Sequence, residues 1–152
     1  MKKDTPEIAK ARDERYRVNS GEHVARYLAT NGEAGFQDNE HGAKNLLLTT
    51  IGRRSGNPFT TPLNFAESEG KYVIIGSYEG SDSHPKWYLN LQANPRVTVQ
   101  IKSDKFEAVA RTADAEEKAR LWPLLGDHLN YFNEYRASTE RDIPLVVLDR
   151  IP

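Results

Sequence analysis

The chain has 152 residues, a length that favours a single domain with a real core. Its 21 Lys and Arg nearly balance 22 Asp and Glu, so global charge favours neither nucleic acid nor an anionic membrane, and any anion site must be local. The chain has no cysteine, which excludes disulfides, thiolate catalysis, Cys-based zinc sites and iron–sulfur clusters.

The N-terminus, MKKDTPEIAKARDERYR, is basic but lacks the apolar stretch of a secretory signal. No segment approaches the ~20 apolar residues of a spanning helix. The expectation is a cytoplasmic protein with no integral membrane segment. Residues 5–17 read as a short surface helix. Residues 20–30 read as a second one, with Ser20 as cap and Val24, Tyr27 and Leu28 on one face, stopped at Asn31-Gly32. These suggest an N-terminal helical extension over 1–19 and a single domain over 20–152. Residues 32–43 read as a loop.

Leu46 to Ile51 is a compact apolar run bounded by Gly52, the pattern of a buried strand. The segment Gly52-Arg53-Arg54-Ser55-Gly56-Asn57-Pro58 is turn chemistry, and 59–66 resumes as a strand in which Pro62 implies an edge or a bulge. Ser68-Glu69-Gly70 turns the chain into a strand over 71–77. Residues 83–94 read as a helix with Ser83 as cap, Pro85 in the first turn and Asn94-Pro95 as stop. Val97, Val99 and Ile101 alternate with Thr98 and Gln100 in a half-buried strand, and 106–111 is its hairpin partner. Asp114 and Glu117 form a capping-box pattern before a helix that Pro123 ends or kinks. A further helix is expected over 127–138 and a terminal strand over 144–148. The sum is an α+β fold, a barrel of about six mainly antiparallel strands with flanking helices.

The dinucleotide, P-loop, HExxH and GxSxG patterns are all missing. His23, His41, His84 and His128 show no ligand spacing, so no metal is expected. Three features remain. The Arg53-Arg54-Ser55-Gly56 turn could converge backbone N–H groups and guanidinium forks on an anion, with hydroxyls from Ser55, Thr60 and Thr61 nearby. From spacing alone it also reads as an ordinary hairpin turn with solvated arginines. Gly76, in Ile75-Gly76-Ser77, would let a flat ring approach the backbone, and Trp87 offers an apolar face. From its spacing with Leu91, Trp87 also reads as a core residue of a buried helix. Tyr131, Phe132 and Tyr135, beside Trp122, are either a pocket lining or core at helical spacing.

These features lie within phrases that resemble the deazaflavin-dependent nitroreductase family, which uses coenzyme F420 on a split β-barrel like that of flavin reductases. The phrases run Leu48-Thr49-Thr50-Ile51-Gly52-Arg53-Arg54-Ser55-Gly56, Thr61-Pro62-Leu63 and Tyr72-Val73-Ile74-Ile75-Gly76-Ser77. They continue with His84-Pro85-Lys86-Trp87-Tyr88-Leu89-Asn90-Leu91, Ala93-Asn94-Pro95-Arg96-Val97-Thr98-Val99 and Thr139-Glu140-Arg141-Asp142-Ile143-Pro144. The resemblance covers residue 20 to the end.

It implies hydride transfer from reduced F420 to an electron-poor organic acceptor such as a nitroaromatic, quinone or enone. The implied cofactor-binding set is Arg53, Arg54, Ser55, Gly56, Asn57, Pro58, Thr60, Thr61, Pro62, Ile75, Gly76, Ser77, Tyr78, Lys86 and Trp87. The turn holds the phosphate and the start of the polyglutamate tail, and Trp87 borders the ring. Ser77 and Tyr135 are the candidate donors to the reduced acceptor. The chain departs from the family at Phe59 and Tyr78, where members often carry basic residues; Arg53, Arg54, Lys44 and Lys86 are the cations left. Phe132 stands where nitroimidazole-reducing members have Tyr. The alternatives are an FMN-binding oxidoreductase on the same barrel, a non-catalytic F420 or flavin carrier, and an interaction module. Either a monomer or a homodimer is compatible with the sequence.

Overall fold

The computed structural model describes residues 5–37, 43–76, 84–125 and 142–152. The described elements are α1 (Pro6–Thr30), β1 (Lys44–Ile51), β2 (Pro58–Ser68), β3 (Lys71–Ile75), α2 (Lys86–Ala93), β4 (Arg96–Ile101), β5 (Asp104–Thr112), α3 (Ala115–Leu121) and β6 (Leu145–Arg150). A 3-10 turn, Trp122–Leu125, follows α3 where Pro123 prevents its continuation. The strands close a barrel in the order β1-β2-β3-β6-β5-β4, with every pairing antiparallel. The α+β split barrel of six strands expected from the sequence is the observed fold.

The period of two along the strands divides the apolar side chains into two cores. Leu46, Leu48, Ile74, Val97, Val99, Phe106, Ala108, Val146 and Leu148 form one, with contributions from β1, β3, β4, β5 and β6, and Tyr88 and Leu91 of α2 pack into it. Val73, Ile75, Leu145 and Val147 project to the opposite face and pack with Leu121 of α3. Strands β3 and β6 are thus buried on both faces, and their sequences are unbroken apolar runs. Strand β5 alternates instead, with Phe106, Ala108 and Ala110 buried and Glu107 and Val109 exposed.

Strand β2 explains Pro62. Residues 58–65 pair along their length with β1, whereas pairing with β3 is confined to Ala66–Ser68. Pro62 therefore sits on a free edge, where its missing N–H interrupts no ladder. Glu69 and Gly70, both with positive φ (57° and 76°), make the two-residue turn from β2 to β3.

Two expectations are corrected. The helices read as 5–17 and 20–30 are one 25-residue helix. Its cap is Thr5, whose hydroxyl accepts the Ile8 amide at 3.2 Å, with Pro6 behind it. Ser20 is interior, and Gly21 does not break the helix; it costs about 1 kcal/mol, which tertiary packing overrides. The expected stop is observed, with Asn31 (φ 49°) and Gly32 (φ 82°) in left-handed conformations. Second, α2 begins at Lys86 with Pro85 at its cap and no capping side chain, later than the expected start at Ser83, which lies outside the described residues. The helix expected over 127–138 also falls outside them.

Helix α1 covers an outer face of the barrel. Tyr27, fully buried, donates its hydroxyl to the Asn45 carbonyl (3.1 Å) and accepts the Lys102 amide (2.7 Å). That cover buries Gln100, which the alternation had placed on a half-exposed face.

Candidate active site

The turn between β1 and β2 is closed by its own backbone. The Gly52 amide donates to the Asn57 carbonyl (2.8 Å), and the Gly56 amide donates to the Gly52 carbonyl (2.9 Å). The Asn57 amide donates to Ser55 Oγ (3.1 Å), and the Arg53 amide to Asn90 Oδ1 (3.2 Å). Four amides of the turn are thus engaged, three within the turn and that of Arg53 by Asn90 of α2. Both glycines suit the turn, for different reasons. A Cβ at Gly52 would stand 2.6 Å from Ser55 Oγ and 2.7 Å from the Phe59 ring, and Gly56 has φ +74°.

Asn90 of α2 fixes this turn to the barrel. It is 5% exposed, and its Nδ2 donates to the buried Thr50 Oγ1 at 3.2 Å while Oδ1 holds the Arg53 amide. The Arg53 and Arg54 guanidiniums, by contrast, are exposed, and neither has an ion-pair or hydrogen-bond partner among the described residues. Across the ladder the hydroxyls of Thr49 and Thr60 share a hydrogen bond at 2.7 Å.

A cavity of about 1260 Å³ opens beside the turn. It gathers Arg53, Arg54, Ser55, Thr60, Thr61, Pro62, Ile75, Lys86 and Trp87, nine residues of the expected cofactor set. Gly56, Asn57 and Pro58 shape the turn without lining the cavity. Gly76 does not line it either: its amide donates to the Pro144 carbonyl at 2.9 Å, and a Cβ there would stand 2.8 Å from Pro144 Cγ. The close approach at Gly76 is thus made by Pro144. Ser77, Tyr78 and Tyr135 lie outside the described residues. Lys44, at the start of β1, is exposed and away from the cavity lining. Trp87 satisfies both of its readings, half-buried against the core and lining the cavity, with its ring edge-on to Tyr88 at 6.1 Å.

Other lining residues carried no signal in the sequence. Asn90 lies within the His84–Leu91 motif, and its only local signal is a lone Asn beside Trp87 and Leu91 on an apolar helix face. The α1 wall, including Lys10, Asp13, Glu14 and Arg17, had none, because a charged helix without an apolar stripe reads as surface.

The arrangement suits a long amphipathic anion. Two unpartnered guanidiniums and Lys86 offer charge, Pro62, Ile75, Phe59 and Trp87 offer apolar surface, and the volume exceeds the 300–1,000 Å³ or so of ordinary small-molecule sites. Among the described residues no cluster of His, Cys, Asp or Glu could hold a metal ion.

The family model for F420H(2)-dependent quinone reductases matches residues 19–150. The chain belongs to this family. An F420H(2)-dependent quinone reductase of Mycobacterium tuberculosis is 35% identical over 131 residues, covering 84% of this chain and 87% of that protein. The solved structure of an F420-H2 dependent reductase, FDR-A, is 35% identical with a TM-score of 0.63, covering 69% of this chain and 93% of its own. A second structure, described as a domain-swapped dimer, is 34% identical with a TM-score of 0.64, covering 84% and 95%. Membership makes the protein an F420-dependent oxidoreductase of split-barrel fold. The resemblance carried by the motifs holds, and the family's own name specifies a quinone. No helix among the described residues is long and apolar enough to cross a membrane.

Proposed function

We propose that the protein is an F420-dependent reductase that passes a hydride to a planar, electron-poor organic acceptor of the quinone class. The observation that carries this reading is the single cavity that unites the Arg53-Arg54 turn, the β2 threonines and Trp87. Reduced F420, when bound, supplies the hydride from its deazaflavin ring.

The chain supplies orientation and a dry pocket. Arg53 and Arg54 bind the phosphate through guanidinium forks, on a turn that Asn90 holds in place. Pro62, Ile75 and Trp87 border the ring, and Thr61 offers a hydroxyl from β2. Helix α1 forms one wall of the same cavity. Ser77 and Tyr135 keep their proposed role as hydrogen-bond donors to the acceptor as charge develops on it. The family and the mycobacterial relative are F420H(2)-dependent, which favours F420 over the FMN alternative. A nitroaromatic or an enone shares the planarity and electron deficiency of a quinone, so both belong in an acceptor screen.

The test is a fluorescence titration of the purified protein with F420, run beside FMN. Saturable binding of F420 at micromolar levels with little binding of FMN is expected. Arg54→Ala is expected to weaken F420 binding about tenfold, the scale of one charge-assisted contact, with the fold unchanged. Reduced F420 should then turn over with a quinone. An equal preference for FMN, or an Arg54→Ala protein that binds F420 as wild type does, would sink this assignment.

A further inference from the structure

We infer that Lys10 is a cofactor-binding residue that contacts the anionic tail of F420 from the α1 wall of the cavity. The inference rests on the F420 reading and adds a residue that lies before the matched span of the family, which starts at residue 19.

Lys10, Asp13, Glu14 and Arg17 recur at i, i+3, i+4 and i+7, so they share one face of α1, and all four line the cavity. Their charges are not equally available. Arg17 is paired with Glu14 at 2.6 Å, and Asp13 has a contact of its own. Lys10 is exposed and has no partner among the described residues. In a chain of net charge −1, the cavity is lined by the cations Lys10, Arg17, Arg53, Arg54 and Lys86 against two carboxylates. That local excess suits a polyanion longer than one phosphate.

Helix α1 is tied to the strands that carry the cavity. Tyr27 anchors α1 at Asn45, which pairs with Asn64 of β2, and Ser20 and Gly21 line the cavity along with those two residues. Helix α1 contacts β2, and Lys10, Phe59, Arg53 and Arg54 line the same cavity. Phe59, 54% exposed, offers no charge there. Lys10 adds a cation from the helix to the two guanidiniums of the turn.

The test measures fluorescence binding of three probes at low salt. They are F420 with a long tail of five or more glutamates, F420 with two glutamates, and the tailless deazaflavin that lacks both phosphate and glutamates. Lys10→Gln is expected to weaken long-tailed F420 about three- to fivefold, the two-glutamate form less, and the tailless ring not at all. The loss should shrink as salt is added, and Lys10→Arg should restore affinity. Circular dichroism checks that α1 persists. If Lys10→Gln binds long-tailed F420 as wild type does while Arg54→Ala weakens it, the Lys10 assignment falls and the F420 reading stands. An equal loss for all three probes would make Lys10 a structural part of the wall and overturn its tail contact. Failure of the wild type to bind any F420 form would overturn the reading itself, and this inference with it.

Discussion

The Oδ1 atom of Asn90 accepts the backbone amide of Arg53 at 3.2 Å, so a buried residue of α2 sets the position of an exposed cationic turn. Its Nδ2 donates to Thr50 Oγ1, and both polar ends of the amide are satisfied inside the barrel. Asn90→Ala should leave the Arg53 amide and the Thr50 hydroxyl short of a partner. Loosening the turn is expected to raise the Kd for F420 about tenfold and to lower stability by about 1–2 kcal/mol. Paired fluorescence titration and urea denaturation check both effects; unchanged affinity would mean that the turn holds its shape alone.

Gly52 and Gly56 flank the same turn but should respond differently to alanine. At Gly56 a Cβ meets nothing within 4 Å, and only the positive φ opposes it, a cost of about 1 kcal/mol. At Gly52 the added carbon runs into Ser55 Oγ and the Phe59 ring, so both side chains must move. Gly52→Ala should therefore lower F420 affinity more than Gly56→Ala. A titration of both variants ranks them, and the reverse order would contradict the packing described.

Tyr27 joins α1 to the barrel through one hydroxyl, and desolvation raises its pKa, keeping the phenol neutral at ordinary pH. Tyr27→Phe strips the Lys102 amide and the Asn45 carbonyl of a partner in a fully buried site. A loss of about 1–3 kcal/mol is expected in urea denaturation. A loss below 0.5 kcal/mol or so would show that other groups or water replace the hydroxyl.

Asp149 on β6 is held by Lys71 of β3 and by Arg111 of β5, the latter at 2.9 Å, and these contacts, Lys71 first, depress its pKa below 3.8. A depressed carboxylate stabilises the fold above its unfolded pKa and ceases to do so as pH falls through the folded value. Asp149→Asn should be less stable than wild type by about 0.5–1 kcal/mol at pH 7, a modest figure because the site is partly solvated. The two proteins should converge as pH is lowered below 3.8. Urea midpoints across pH 2–7 or so read the difference; a gap that persists at the acid end would assign the effect to packing.

Much of the fold was legible because strand burial and strand sequence follow the same period. Leu46 to Ile51, the alternation at Val97, Val99 and Ile101, and the turn at Glu69-Gly70 each encode their own conformation locally. The same holds for the basic turn, where Gly52 and Gly56 mark the backbone and Arg53 and Arg54 the charge. Local pattern, together with the motif phrases, determined the barrel, its family and nine residues of the cavity lining. The tertiary structure decided the rest, because those features depend on contacts between segments distant in sequence. Ser20 reads as a cap in isolation, yet one helix continues through it, and its Tyr27 is fixed on Asn45 and Lys102. The Arg53 amide is held by Asn90, 37 residues away in sequence, a contact that no local pattern encodes. Lys10 shows no local signal at all; only the packing of α1 against β2 brings it to the cavity that Arg53 and Arg54 line.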